Sequence, residues 1–194
     1  MRRATLADVP QLSEALARAF LEDPVATWAY PPSRLRLRAL ERFHAIRLRQ
    51  RLVDDEVWTT QGLHGAALWS PPGRWRTSPL EDIQLARPSL HPQLLVRLGV
   101  VAPGLFGMER AHPRTPEHWY LAVLGTDPAA QGKGVGSAVL EPVLAECDRH
   151  GVGAFLESSK HSNIAFYARH GFRVRGELPL WRGPSVWQMW RDPR

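Results

Sequence analysis

An α/β protein with a mixed sheet is what the sequence predicts, on three observations. The last third alternates helical and extended patterns, a hairpin-like stretch lies near residue 60, and a glycine-rich loop joins an extended segment to an amphipathic one. No internal repeat, Ser/Gly linker or low-complexity tract interrupts the 194 residues, so one domain over residues 1–194 is expected. A chain of that length can bury a core without disulfides. Cys147, the only cysteine, excludes an intrachain disulfide and cysteine-pair zinc sites, which fits a reducing, cytoplasmic compartment. Asp8, Glu14, Glu22 and Asp23 break up the first stretch and Arg97 the most apolar later one, so neither export signal nor membrane span is expected.

Residues 4–6 read as a short first strand, after which Asp8 caps an amphipathic helix carrying Leu12, Leu16 and Phe20 at helical spacing. Glu22-Asp23-Pro24 ends that helix. Ser33 caps a second one, in which Leu35, Leu37, Leu40, Phe43, Ile46 and Leu48 alternate with arginines expected to form a solvated face. Residues 57–60 and 66–69 flank a turn as a hairpin, closed by Pro71-Pro72-Gly73. From residue 78 to 108 the pattern is helical, with Pro88, Pro92 and Pro103 dividing it into two or three short helices. Residues 118–126 form a strand. The remainder runs helix 134–150, strand 154–158, helix 162–170 and strands 172–175 and 186–191. Pro142 falls inside the first of these helices and is expected to bend it, while Leu140, Val143, Leu144 and Cys147 continue its apolar stripe, making Cys147 a core residue.

Net charge is +6, with Lys133 and Lys160 the only lysines and the arginines scattered rather than clustered in one run. That distribution points away from a nucleic-acid partner and is compatible with a phosphate-rich ligand. The sharpest signal is Gln131-Gly132-Lys133-Gly134-Val135-Gly136-Ser137, placed after a strand and before an amphipathic helix. Glycines let the backbone approach an anion, and free N–H groups at a helix start, helped by its dipole, stabilise negative charge. The spacing excludes a Walker A loop and a dinucleotide fingerprint, so this is a pyrophosphate cradle of another kind.

The segment resembles the Gln/Arg-x-x-Gly-x-Gly/Ala motif of GNAT acetyltransferases, and Asn163-Ile164-Ala165-Phe166-Tyr167-Ala168-Arg169-His170-Gly171-Phe172 resembles a second motif of that superfamily. Within it, Trp119-Tyr120-Leu121-Ala122-Val123, residues 131–139, residues 151–159 and residues 19–24 are similar to the puromycin N-acetyltransferases and their actinobacterial relatives. The resemblance implies a GNAT-like mixed, mostly antiparallel sheet flanked by helices, with a central splay that admits CoA. It implies acetyl-CoA as acyl donor, with Leu124 and Thr126 pairing with the pantetheine arm, Gln131, Gly132, Lys133, Gly134, Val135, Gly136 and Ser137 around the pyrophosphate, and Asn163 against the arm from the other side.

Acetyl transfer needs a neutral amine, donors for developing negative charge and a proton for the departing thiolate. Tyr167 stands where many GNAT enzymes place a tyrosine near the CoA sulfur, which makes it the candidate acid, and a backbone N–H near Leu124 would hold the oxyanion. For the base, Glu157 at the end of a strand is the first choice, His118 the second and water a third. Tyr120 occupies the place where lysine-directed relatives carry a strand glutamate. The implied acceptor is a primary amine of a small molecule, aminoacyl or antibiotic-like, with a protein lysine or amino terminus, or a non-catalytic CoA sensor, as alternatives. Trp28, Tyr30, Trp58, Trp69, Trp75 and Trp119 could line its pocket or belong to the core.

Overall fold

A computed structural model describes residues 1–53 and 56–194. The described residues form one seven-stranded sheet in the order β1-β2-β3-β4-β5-β7-β6. The strands are β1 (Arg2–Arg3), β2 (Val57–Thr59), β3 (Gly65–Ser70), β4 (His118–Thr126), β5 (Gly153–Ser158), β6 (Arg173–Pro179) and β7 (Ser185–Arg191). Every neighbouring pair is antiparallel except β4–β5, which is parallel. Helices α1 (Val9–Ala19), α2 (Pro24–Ala29), α3 (Ser33–Arg51), α4 (Pro79–Ala86), α5 (Pro92–Ala111), α6 (Val135–His150) and α7 (Ile164–Arg169) flank it.

Successive residues of β3 face different layers, and a bulge at Ala122 carries β4 with them, so that Leu121 and Val123 fall on opposite faces. Leu121, Ala154 and Leu156 pack on Val139, Leu140, Val143 and Cys147 of α6 together with Tyr167 of α7. Val123, Ala66 and Leu68 pack instead on Leu12 and Leu16 of α1 and Leu48 of α3. Burial pushes the Cys147 thiol up to about 12, as befits a core residue. Pro142 and Pro103 lie inside continuous helices α6 and α5, so Pro103 does not divide the 78–108 region as its sequence suggests. Only the stretch before Pro92 is broken, by a 3-10 turn over Arg87–Leu90.

Several local expectations are corrected. The first strand is Arg2–Arg3, and residues 6–8 form a 3-10 turn. Asp8 ends that turn, and its carboxylate accepts from Thr5 N (2.7 Å) and Arg2 Nη1 (2.7 Å) instead of capping α1. Asp23 opens an additional helix, α2, its Oδ1 accepting from Val25 N and Ala26 N. Ser33 makes no capping bond; it is the first residue of α3 after Pro32.

The arginine-rich helix α3 departs furthest from expectation. Its solvated face holds Arg34, Arg38, Arg42 and Arg49, whereas Arg36, Leu40, His44, Leu48 and Arg51 form one buried stripe. Arg36 is accommodated because Nε, Nη1 and Nη2 donate to the carbonyls of Tyr30, Leu21 and Pro31, fastening the α1–α2–α3 turns.

His44 has no such partners. Both ring nitrogens are buried without one, between the rings of Phe20 and Phe43. Burial, with the charge of Arg47, depresses its pKa from 6.5 to about 3. Above about pH 6.5 the ring is neutral in both folded and unfolded chains and favours neither. As pH falls, the unfolded chain takes up a proton that the folded ring refuses until about pH 3, so stability falls throughout that window. Between pH 6.5 and 5 this histidine is expected to lower stability by about 2 kcal/mol. Denaturant melts at the two pH values should show His44→Leu losing that much less than the wild type. An equal loss in both would assign the acid sensitivity to other groups.

Candidate active site

At the end of β4, Asp127 caps a short 3-10 turn (Pro128–Ala130) through Ala129 N (3.0 Å) and is held by Arg18 (2.7 Å). The Gln131 side chain donates to Thr126 O (3.2 Å) and Lys133 Nζ to Ala129 O (3.0 Å), so both brace the loop. Gly132 and Gly134 have φ of 75° and 78°, the left-handed region that disfavours side chains, and no atom lies within 4 Å of where their Cβ would stand. Open space thus faces the start of α6, where the N–H groups of Val135, Gly136 and Ser137 precede the first intrahelical bond, Ala138 N to Gly134 O. Gly136 serves packing as well: a Cβ there would meet Phe166 Cζ at 3.2 Å. Ser137 Oγ lies 3.0 Å from His170 Nε2, joining the loop to the end of α7. The geometry fits a pyrophosphate.

The strand beside this loop is open. β4 pairs with β5 only from His118↔Gly153 to Leu121↔Leu156, although β4 continues to Thr126. The pairing stops where a bulge leaves Ala122 extra between Leu68↔Val123 and Trp69↔Leu121, and a bulge bends its strand. Asp127 N donates to His64 O at the end of the β3–β4 ladder. By antiparallel alternation, Gly125 and Val123 direct their backbone groups to β3, whereas Leu124 and Thr126 direct theirs into the splay. Among the described residues no strand meets Leu124 and Thr126 there. Asn163 ends a 3-10 turn just before α7 and is exposed.

On the α3 side of the sheet the structure brings Glu157 and His118 together through a residue the sequence reading missed, His112. Its Nε2 lies 3.0 Å from His118 Nε2 and its Nδ1 3.6 Å from Glu157 Oε1. The ring stacks on Trp75 at 3.8 Å, and Gln188 Nε2 bonds Ala111 O to hold the end of α5 over β7. Proton positions follow from the partners. A carbonyl only accepts, so His118 Nδ1, 2.8 Å from Pro116 O, carries hydrogen. Burial lowers the His118 pKa and keeps it neutral, so its Nε2 is bare and the proton between the two rings belongs to His112. His112 Nδ1 is left facing the carboxylate, where a second proton would make an imidazolium–carboxylate pair.

Glu157 Oε2 is buried without a partner. Tyr120, enclosed beside this carboxylate, is held protonated by burial and by the Glu157 charge. Glu157 thus places a carboxylate on β5 beside the ring of Tyr120 on β4.

Tyr167 lies in the other layer, its ring against Phe166 and Phe172, and burial together with the Asp23 charge raises its pKa far above that of a free phenol. The Asp23 carboxylate also accepts from Ser159 just beyond β5, tying the start of α2 to the mouth of the splay. Of the aromatic candidates, Trp69 and Tyr30 are core, Trp58 and Trp119 pack against it, and Trp28 bonds Arg182 O. Of these candidates Trp75 stacks on the histidine cluster, which Tyr120, Phe155 and Trp190 also border.

At the centre of the sheet, a parallel strand pair thus parts beside a glycine turn that opens a helix. The model of the Acetyltransferase (GNAT) family matches residues 61–172, more than half of the chain, and the chain belongs to that family. A solved Corynebacterium glutamicum protein described as a histone acetyltransferase and related acetyltransferase is similar at 26% identity and TM-score 0.70, over 100% of this chain and 95% of that one. An agmatine N-acetyltransferase (16% identity, TM-score 0.65, 98% and 97% covered) and arylalkylamine N-acetyltransferase 2 of Aedes aegypti (12%, 0.58, 100% and 98%) share the fold. An uncharacterized N-acetyltransferase of Schizosaccharomyces pombe is 35% identical over 69 residues, which span 36% of this chain and only 28% of that relative. Among the described residues no helix is long and apolar enough to cross a membrane.

Proposed function

We propose that this chain, acting as one cytoplasmic domain, moves an acetyl group from acetyl-CoA to a primary amine of a small molecule. The observation that carries the reading is the open β4 edge, with the backbone groups of Leu124 and Thr126 directed into the splay beside the Gly132–Gly134 cradle. When bound, acetyl-CoA supplies a thioester, whose C–S bond breaks as the amide C–N bond forms. Leu124 and Thr126 hold the pantetheine arm as an added strand would, and the start of α6 holds the pyrophosphate. Glu157 takes the proton of the incoming ammonium and can share it with His112 Nδ1, while His118 fixes the His112 tautomer. Tyr167 keeps its proton at neutral pH and gives it to the leaving thiolate, and the second proton, which the nitrogen sheds on becoming an amide, restores the phenol.

The similarity of residues 19–24, 119–123 and 151–159 to puromycin N-acetyltransferases supports a small acceptor. The name of the Corynebacterium glutamicum structure favours a second reading, a protein amine. A thiol-release screen over aminonucleosides, aminoglycosides, amino acids, polyamines and peptides decides between them. Acetyl-CoA is expected to bind, and Gly134→Val to weaken it at least about tenfold by calorimetry, with circular dichroism unchanged. No binding to the wild type, or undiminished binding to the variant, would overturn the assignment of the cradle.

A further inference from the structure

Outside the splay, the carboxyl-terminal half of α3, the loop after β3 and α4 enclose a cavity of about 750 Å³. Its lining carries Arg49, Arg51, Arg74, Arg76 and Arg87, against Glu81 as the one carboxylate among the described lining residues. Four of these arginines are exposed at the rim. Arg51 is at the floor: its side chain is only 3% exposed, Nη1 donates to Ser70 Oγ (2.8 Å), Nη2 pairs with Glu81 (3.3 Å), and Nε is buried without a partner. One turn earlier on α3, Arg47 is enclosed too, with Nη1 buried and unpartnered. The Arg51 guanidinium, withdrawn from water with an unfilled donor and one half-open carboxylate, carries a desolvation cost that an oxyanion in the cavity would offset, while Arg47 stands behind the lining and adds its charge. Arginine forks also match the two oxygens of a phosphate or carboxylate.

We infer that this cavity is a binding site for a small molecule bearing a phosphate or carboxylate group. Its position suggests a use that rests on the acetyltransferase reading. Ser70, bonded to Arg51, pairs across β3–β4 with Tyr120, whose ring stands beside Glu157. An acid group held here would lie one layer of side chains from the proposed base, so an acceptor that is both amine and acid would be favoured and a polycationic one repelled.

The site itself is tested without turnover. Inorganic pyrophosphate is titrated by calorimetry into the wild type, into Gly134→Val, which alters the cradle, and into the double variant Arg49→Glu/Arg87→Glu, whose side chains are exposed and outside the proposed catalytic machinery. A binding event is expected that survives Gly134→Val and weakens at least about tenfold in the arginine variant at low salt. No binding to the wild type, or binding indifferent to the arginine changes, overturns the site. The source of the anion is then read from kinetics with amines that do or do not carry a carboxylate. Competition by pyrophosphate, with kcat/KM lost in the arginine variant only for the carboxylate-bearing amines, makes the anion the acceptor's own group. Binding without competition makes it a separate ligand of the same site. Failure of every amine to be acetylated would sink the acetyltransferase reading and leave the titration result standing.

Discussion

Glu157→Gln is expected to lower kcat/KM for the acceptor amine by roughly 100- to 10,000-fold at neutral pH, the usual worth of general acid–base catalysis. Glutamine keeps the shape beside Tyr120 and His112 but cannot take a proton. Acetyl-CoA affinity should stay within about twofold, because Leu124, Thr126 and the cradle are untouched, so the loss is one of transition-state stabilisation. The pH profile carries further information. With the carboxylate gone, the rate should follow the free-base fraction of the amine itself, about ten times more for each pH unit below the amine's own pKa. His112→Phe, which keeps the stack on Trp75 but removes the proton store, should reduce kcat less than Glu157→Gln. Wild-type kcat/KM in Glu157→Gln, where chemistry limits the rate, would transfer the proton to water and leave Glu157 a buried in-sheet carboxylate.

Where the sequence was readable, the chemistry was local. The glycine turn could be recognised because Gly132 and Gly134 need their positive φ for a turn complete within a few residues, immediately ahead of a helix whose stripe of Leu140, Val143, Leu144 and Cys147 is itself periodic. The β2–β3 hairpin is local in the same sense, and its register of Val57↔Leu68 follows from the short turn. The Glu157 cluster is assembled from distant parts: Glu157 from β5, His118 from the start of β4, His112 beyond the end of α5 and Trp75 from the loop after β3. Nothing in the spacing around His112, which merely precedes a proline, marks it as the link. The buried arginines of α3 eluded reading for a different reason. Arginines alternate there with leucines, so several stripes of the helix look equally amphipathic. Only tertiary partners, the carbonyls of Leu21, Tyr30 and Pro31 for Arg36 and Ser70 for Arg51, decide which face turns inward.

Tyr167→Phe is expected to reduce turnover by a comparable amount, roughly 100- to 10,000-fold if proton donation to the thiolate limits the rate, while leaving acetyl-CoA affinity nearly intact. The ring packs against Phe166, Phe172 and the α6 layer, and phenylalanine keeps all of that packing. Only the hydroxyl is removed, so stability should change by no more than about 1 kcal/mol, the net worth of one hydrogen bond. Its raised pKa matters here: burial first, and then the nearby Asp23 carboxylate, disfavour the phenolate, so the group arrives at the reaction protonated at every pH a kinetic assay can use. The deep burial also separates its two possible roles. A merely structural tyrosine would leave kcat unchanged, since phenylalanine keeps its packing, whereas a proton donor shows its loss in kcat while the melt stays close to that of the wild type. Pre-steady-state measurement of thiol release adds the deciding control, since a slow step after chemistry would mask the effect in kcat but not in the first turnover. A first turnover as fast as that of the wild type would return Tyr167 to the core and place the thiolate's proton with solvent.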